Sequence, residues 1–212
     1  MILYTFPSSP FGCKVKSVIL ACAEEKNITI EEFHPWQPDS FFRELNPLGK
    51  IPTLKIDNNE SIFDSAVICE YIIEKAKKSS KLMPNRIKSL KIQALIDGMA
   101  DAAVSIRYER FFRPQHLQCE DWYNRQYLAL ESGLKYLNSN LKKCTEESLC
   151  FENLCIATFL SYIDLRFSDS TFRENYKNIF SWYDQFRKDQ PKFEPAMAKD
   201  KPVPDNILRL NK

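Results

Sequence analysis

The chain has 212 residues, of which 44% are hydrophobic and 13% aromatic, enough to bury a real core in two modest domains or one large one. Its 30 basic and 28 acidic side chains leave a formal net charge of +2. That balance makes no case for nucleic acid or an anionic membrane as a partner, because either calls for a clustered basic excess. Seven cysteines, at 13, 22, 69, 119, 144, 150 and 155, form no C-x-x-C pair. They fit free thiols in a reducing cytoplasm better than a disulfide framework. No signal-peptide pattern opens the chain, and no apolar run reaches membrane-spanning length. Four glycines cannot build a dinucleotide or phosphate-binding loop, and two distant histidines, His34 and His116, exclude a His-rich zinc site.

Taken in chain order, Ile2 to Phe6 reads as a strand and Phe11 to Lys26 as a helix, with Val15, Val18, Ile19 and Cys22 at helical spacing. Ile28 to Phe33 alternates as a strand, and Ser40 to Leu45 fits a short helix. Thr53 to Ile56 and Ser61 to Phe63 pair as a hairpin across the turn Asp57-Asn58-Asn59. A helix then starts at Asp64-Ser65 and runs to about Lys77. The order β-α-β-α-β-β-α is a thioredoxin-like layout. Lys77 to Lys81 is a polar break, and Leu82 to Asn85 reads as a linker. Strand signals then vanish, and helices are expected over about 86–110, 120–141, 154–167 and 179–188. The proline-bearing remainder, with Pro191, Pro195, Pro202 and Pro204, reads as irregular. The expectation is an α/β thioredoxin-like domain over 1–78 followed by an all-α domain over 86–212.

Three segments sit at chemically meaningful points of that layout. Ser8-Ser9-Pro10-Phe11-Gly12-Cys13-Lys14-Val15 joins the first strand to the first helix. A serine followed by proline is good helix-start grammar, so Ser9 reads as a cap, while its hydroxyl also stands where a reactive group can be placed. Asn46 to Leu54 contains Ile51-Pro52 just before a strand. A cis bond there would turn the Ile51 backbone outward for an extended peptide to pair with, and the plainer reading is a proline that starts a strand. Asp64-Ser65 opens a helix, whose N-terminus is both a cap site and an anion site. Cys13, four residues after Ser9, shares a helical face with it, yet buried cysteine is commonly a small hydrophobe. Arg107, Arg110 and Arg113 recur every three residues beside Tyr108, Phe111 and Phe112, as a solvated face or a charged pocket wall.

In this order and register the three segments resemble the glutathione transferase family. The first is closest to the serine-type tau and zeta classes. The helical half, with Asp97 to Ala102 and Arg110 to Pro114, resembles a bacterial YibF-like group. The resemblance implies glutathione as co-substrate, no metal, a homodimer and conjugation of the glutathione thiolate to a small electrophile. It implies Ser9 as the donor that stabilises the thiolate, a cis-Pro52, Ile51 pairing the cysteinyl unit, and Lys50 near the glycine carboxylate. Asp64 and Ser65 would receive the γ-glutamyl end. Phe11, Arg107, Tyr108 and Phe111 would wall the second-substrate pocket. Two alternatives stand beside transfer: glutathione-dependent thiol–disulfide exchange or peroxide reduction, the exchange needing a redox-active Cys13, and a non-catalytic adaptor of the stringent starvation protein type. One departure is visible. The family's Ser/Thr-x-x-Asp box in the second domain is expected at Asn153 to Ile156, where Asn can cap but the reciprocal Asp is missing.

Overall fold

A computed structural model describes residues 1–36, 40–56, 60–145 and 149–202. The turn expected at Asp57-Asn58-Asn59, and Pro204, lie outside the described residues. The first part of the chain runs β1 (Ile2–Thr5), α1 (Pro10–Cys22), β2 (Thr29–Glu32), α2 (Ser40–Leu45), β3 (Thr53–Lys55), β4 (Ser61–Ile62) and α3 (Ser65–Lys75). These strands form one sheet in the order β2-β1-β3-β4. β1 is parallel to β2 and antiparallel to β3, and β3 is antiparallel to β4. The rest is helical: α4 (Ser79–Leu82), α5 (Arg86–Phe111), α6 (Glu120–Cys144), α7 (Phe151–Arg166), α8 (Phe172–Asn175) and α9 (Lys177–Asp189). This is the expected thioredoxin-like unit followed by an all-α unit.

Several boundaries differ from expectation for identifiable reasons. Helix α1 stops at Cys22 rather than Lys26 because Ala23 turns left-handed (φ 59°), and the Glu24 N–H reaches back to the Ile19 carbonyl at 3.0 Å. Helix α4 begins inside the stretch read as a polar break and ends at Leu82, the first residue read as linker, which is buried together with Met83. The residues read as irregular form a 3-10 segment, Pro191–Ala196, which buries Phe193 and Ala196 and packs on α1. Helix α7 begins at Phe151 with Cys150 as its N-cap, so Asn153 is the third helical residue and not the cap. The Cys150 thiol donates to Asn153 Oδ1 at 3.3 Å, so the helix-opening pair lies three residues earlier than expected. A sequence scan for hydroxyl or amide caps passes over a thiol.

Helix α1 is the element the two halves share. It packs on α3 on one side and on α7 and the 3-10 segment on the other. Gly12 permits its close approach to β1, since a Cβ there would lie 1.8 Å from Thr5 Oγ1. Lys14, with its side chain only 2% exposed, reaches into the helical half and places its ammonium 2.6 and 2.7 Å from the two carboxylate oxygens of Asp97 on α5. Burial pulls that ammonium down, but Cys69, Asp97 and Cys155 around it outweigh burial and hold it above the ordinary lysine value. The charge therefore stays on Lys14, and Asp97 is its counter-ion.

Among the described residues no helix is long and apolar enough to cross a membrane.

Removing one partner of a buried ion pair leaves an uncompensated charge, so Asp97→Ala should cost about 3 kcal/mol, or roughly 6–12 °C in Tm. The double variant Lys14→Met/Asp97→Leu, which removes both charges, should recover much of that loss in the same thermal scan. A single variant that melts with the parent would show that the pair does not tie the halves together.

Candidate functional site

A cavity of about 650 Å³ lies between the two halves. Its floor comes from the β1–α1 turn. Ser9 is in extended backbone (φ −73°, ψ 119°), and its Oγ accepts the Gly12 N–H at 3.1 Å, while Pro10 takes the first helical position. The hydroxyl is therefore a cap and also lines the cavity. A hydroxyl accepts and donates at once, so the bond to Gly12 leaves its own hydrogen free. Ser8, immediately before it, lines the same cavity and supplies a second hydroxyl that the sequence reading did not weigh.

The second wall is the loop before β3, organised by buried Asn46. Its Oδ1 accepts the Leu48 N–H at 3.0 Å, and its Nδ2 donates to the Lys50 carbonyl at 2.8 Å and to Thr53 Oγ1 at 3.0 Å. Gly49 takes a positive φ of 62°, and a Cβ there would press on the Arg43 guanidinium at 2.9 Å. This loop brings Lys50, Ile51 and Pro52 to the cavity, and the Ile51–Pro52 bond is cis, as expected. Ile51 lines the cavity, and neither its N–H nor its C=O bonds another described residue.

At the start of α3 the roles expected of Asp64 and Ser65 separate. Asp64 is the cap, its Oδ1 accepting the Ala66 N–H at 2.9 Å. Ser65 is the first helical residue, 3% exposed, and its hydroxyl has no hydrogen-bond partner among the described residues although it lines the cavity. Asp97 and Asp101 of α5 stand on the facing wall. Burial raises both carboxyls, against the opposing pull of Lys14 on Asp97 and of Lys50 on Asp101.

The far end is aromatic and basic. Trp36 and Phe112 stack with centroids 4.7 Å apart and planes 8° apart, and Tyr108 meets both edge-on. Phe11, Arg107, Tyr162 and Arg166 also line this end. Phe111, expected in the wall, stands outside the lining. Its half-exposed ring instead lies beneath the Arg107 guanidinium, 3.8 Å from it. The arginine row likewise divides: Arg110 pairs with Glu120 at 2.9 Å and Arg113 with Glu109 at 2.8 Å, leaving Arg107 to the cavity. His34 sits at the boundary, its Nδ1 accepting the Trp36 N–H at 3.3 Å, with burial lowering its pKa so that the ring is neutral.

Cys13 does not reach the cavity. It is fully buried, its thiol 3.6 Å from the Pro7 carbonyl, and burial pushes its pKa up. Sequence reasoning missed His34, Trp36, Asp97, Asp101, Tyr162 and Arg166. Asp97 and Asp101 had a signal, the i,i+4 spacing of two carboxyls on one helix face. Tyr162 and Arg166 share the i,i+4 spacing on α7, but an aromatic and a cation at that spacing do not point to a site, and His34 and Trp36 sit in a connection without a pattern.

Comparison with known proteins agrees with this architecture. Residues 3–80 match the family model described as the glutathione S-transferase N-terminal domain. Over 167 residues the chain is 34% identical to the uncharacterized GST-like protein YibF of Escherichia coli K12, covering 75% of this chain and 80% of that protein. It superposes on a glutathione transferase family member from Pseudomonas fluorescens Pf-5, solved with bound glutathione, with a TM-score of 0.82 and 25% identity over 94% of this chain and 99% of the other. A glutathione S-transferase from Methylobacillus flagellatus KT, solved with glutathione bound, gives a TM-score of 0.80 at 28% identity, covering 93% and 99% of the two chains. The chain belongs to the glutathione S-transferase family.

The Asn46 bonds hold the second wall in shape. Asn46→Ala strands the Leu48 N–H and leaves the Lys50 carbonyl with Thr53 as its one side-chain donor among the described residues, and should destabilise the fold by about 1–3 kcal/mol. Hydrogen exchange should localise the added opening to residues 46–53. Protection there equal to the parent's would show that the loop is held by something else.

Proposed function

We propose that this protein is a glutathione S-transferase in which the Ser9 hydroxyl stabilises the thiolate of bound glutathione. The observation that carries this reading is Ser9 itself: its hydroxyl accepts the Gly12 N–H, keeps its own hydrogen to donate, and lines a cavity that also holds Ile51, with its backbone unbonded to other described residues, and the unpartnered Ser65 hydroxyl. Ile51 pairs the cysteinyl unit. Ser65, with the free N–H groups of the α3 terminus, receives the γ-glutamyl carboxylate, and Asp64 with Asp101 faces the adjacent ammonium. Lys50 meets the glycine carboxylate. Pro52 shapes the loop. In this reading residues 1–78 hold glutathione, residues 86–212 supply most of the electrophile pocket, and the working protein is a cytoplasmic homodimer of twice 24.9 kDa.

The chemistry balances without a further reactant. The glutathione S–H gives its proton to solvent, and the thiolate sulfur forms a bond to an electrophilic carbon. In a substitution the leaving group departs with the old bonding pair. In a conjugate addition the π pair of the attacked double bond moves toward the carbonyl oxygen, and the neighbouring carbon then takes a proton from water. A free thiol has a pKa of about 8.5, so only a few per cent is thiolate at neutral pH. One hydroxyl donor and a helix N-terminus, each worth about 1 kcal/mol toward an anion, lower that by about one to two units. Thiol exchange through Cys13 has no comparable support, because that sulfur is buried away from the cavity.

Ser9→Ala should therefore raise the pKa of the bound thiol and lower kcat at neutral pH by roughly 5- to 150-fold, with the deficit shrinking as pH rises and the thiol ionises unaided. Glutathione affinity should change little. Ser8→Ala, titrated in parallel through the ultraviolet absorbance of the bound thiolate, should overlay the parent. If the Ser8 variant shifts and the Ser9 variant does not, the role belongs to the neighbouring hydroxyl.

Ser65→Ala should act on binding instead, weakening glutathione by about 1–3 kcal/mol in calorimetry with Tm unchanged. Asp64→Ala should lower Tm by removing about 1 kcal/mol of helix cap. Unchanged affinity in both variants would reduce this corner of the cavity to helix capping.

A further inference from the structure

The two ends of the cavity differ in charge. Asp64, Asp97 and Asp101 gather with Arg43 and Lys50 at the end proposed for glutathione, whereas Arg107, Arg166 and Lys201 line the other. Two of those three cations are already matched: Arg166 bonds Asp200 at 2.9 Å, and Lys201 pairs with Glu32. Arg107 has no carboxylate partner among the described residues. Its guanidinium is held in place by the Phe111 ring beneath it. Burial, and after it the nearby Arg166 charge, press the Arg107 pKa down, yet a guanidinium stays protonated. A cation in that position is eased by an anion from outside the chain.

Tyr162 points to the same spot. It is 3% exposed, lines the cavity, and has no hydrogen-bond partner among the described residues. Burial raises its pKa strongly, so the phenol keeps its proton and is a donor without an acceptor. Alongside stand Trp36, Phe112 and Tyr108, whose stacked and edge-on rings offer a face to a flat guest.

Resting on the transferase reading above, we infer that the second substrate is a flat aromatic or conjugated electrophile bearing one carboxylate, its body against Trp36, Tyr108 and Phe112 and its carboxylate on Arg107 and the Tyr162 hydroxyl. A single unmatched cation balances a single negative charge, which favours a carboxylate over a phosphate dianion. The planar fork of arginine accepts a carboxylate through two parallel bonds.

The test measures binding, so that it does not depend on turnover. Two S-aryl glutathiones are compared by calorimetry, S-(4-carboxy-2,6-dinitrophenyl)glutathione and its methyl ester, with glutathione alone as reference. The acid should bind the unmodified protein roughly tenfold or more tighter than the ester. Arg107→Gln should abolish that preference, and Tyr162→Phe should reduce it several-fold, with affinity for glutathione unchanged in both. An ester that binds as well as the acid, or a preference that survives Arg107→Gln, overturns the inference while glutathione binding leaves the transferase reading standing. Failure of glutathione itself to bind removes both.

Discussion

The arrangement depends on one helix being buried on nearly every side. Helix α1 packs on α3, on α7 and on the 3-10 segment, and its buried residues include Gly12, Cys13, Lys14, Val15, Val18 and Ile19. A lysine in such a position is costly unless an anion meets it, and Asp97 meets it with both oxygens. That pair fixes the rotation of α1 about its axis and its position against α5. The rotation in turn aims the N-terminal turn, and with it Ser8 and Ser9, at the cleft. Asp97 also lines the cavity. The contact that joins the halves thus borders the site they enclose.

The site follows from backbone accounting as much as from side chains. Each of its three walls is a place where regular structure begins: α1 at Pro10, β3 at Thr53 and α3 at Ser65. Chain beginnings of this kind leave N–H and C=O groups unpaired. Some are consumed internally, the Gly12 N–H by Ser9, the Ala66 N–H by Asp64 and the Lys50 carbonyl by Asn46 and Thr53. The Ile51 backbone and the Ser65 hydroxyl are not. The residual groups form the polar lining that the proposed function assigns to glutathione. The aromatic end makes few such demands and leaves its cation and phenol unmatched.

What could be read from the sequence was short-ranged. Ser9-Pro10, Ile51-Pro52 and Asp64-Ser65 announce themselves within two residues, because caps and X-Pro bonds are local chemistry. The order of strands and helices followed from periodicity for the same reason. Tertiary packing overrode local grammar elsewhere. Ala23, with no glycine to signal it, takes the left-handed turn that ends α1. Leu82 and Met83, in a stretch that reads as linker, are drawn into the core. Spacing divides the arginine row at 107, 110 and 113 only in part: Glu109 meets Arg113 at i,i+4, whereas Glu120 claims Arg110 through a contact that only the fold creates. His34 on the β2–α2 connection and the pair Tyr162 and Arg166 on α7 were silent because they lie far in sequence from Arg107 on α5, and only the fold brings them to one cavity.

The distribution of sulfur explains why a hydroxyl stands at the head of α1. Six of the seven cysteines are buried, and burial raises each of their thiols, Cys22 to about 11 and Cys69 and Cys150 to about 12. The seventh, Cys119, is exposed and lies outside the cavity lining. A thiol in place of Ser9 would sit at a helix N-terminus, the environment that most favours thiolate, and would attack any disulfide brought to it, forming a mixed disulfide and releasing the other sulfur as a thiolate. A serine in the same place keeps the geometry and the hydrogen bond but has no accessible oxidation chemistry. It has no part in disulfide exchange. In the proposed transferase, Ser9 would polarise the thiol of a guest, and selectivity would rest with the aromatic and basic wall proposed for the other reactant.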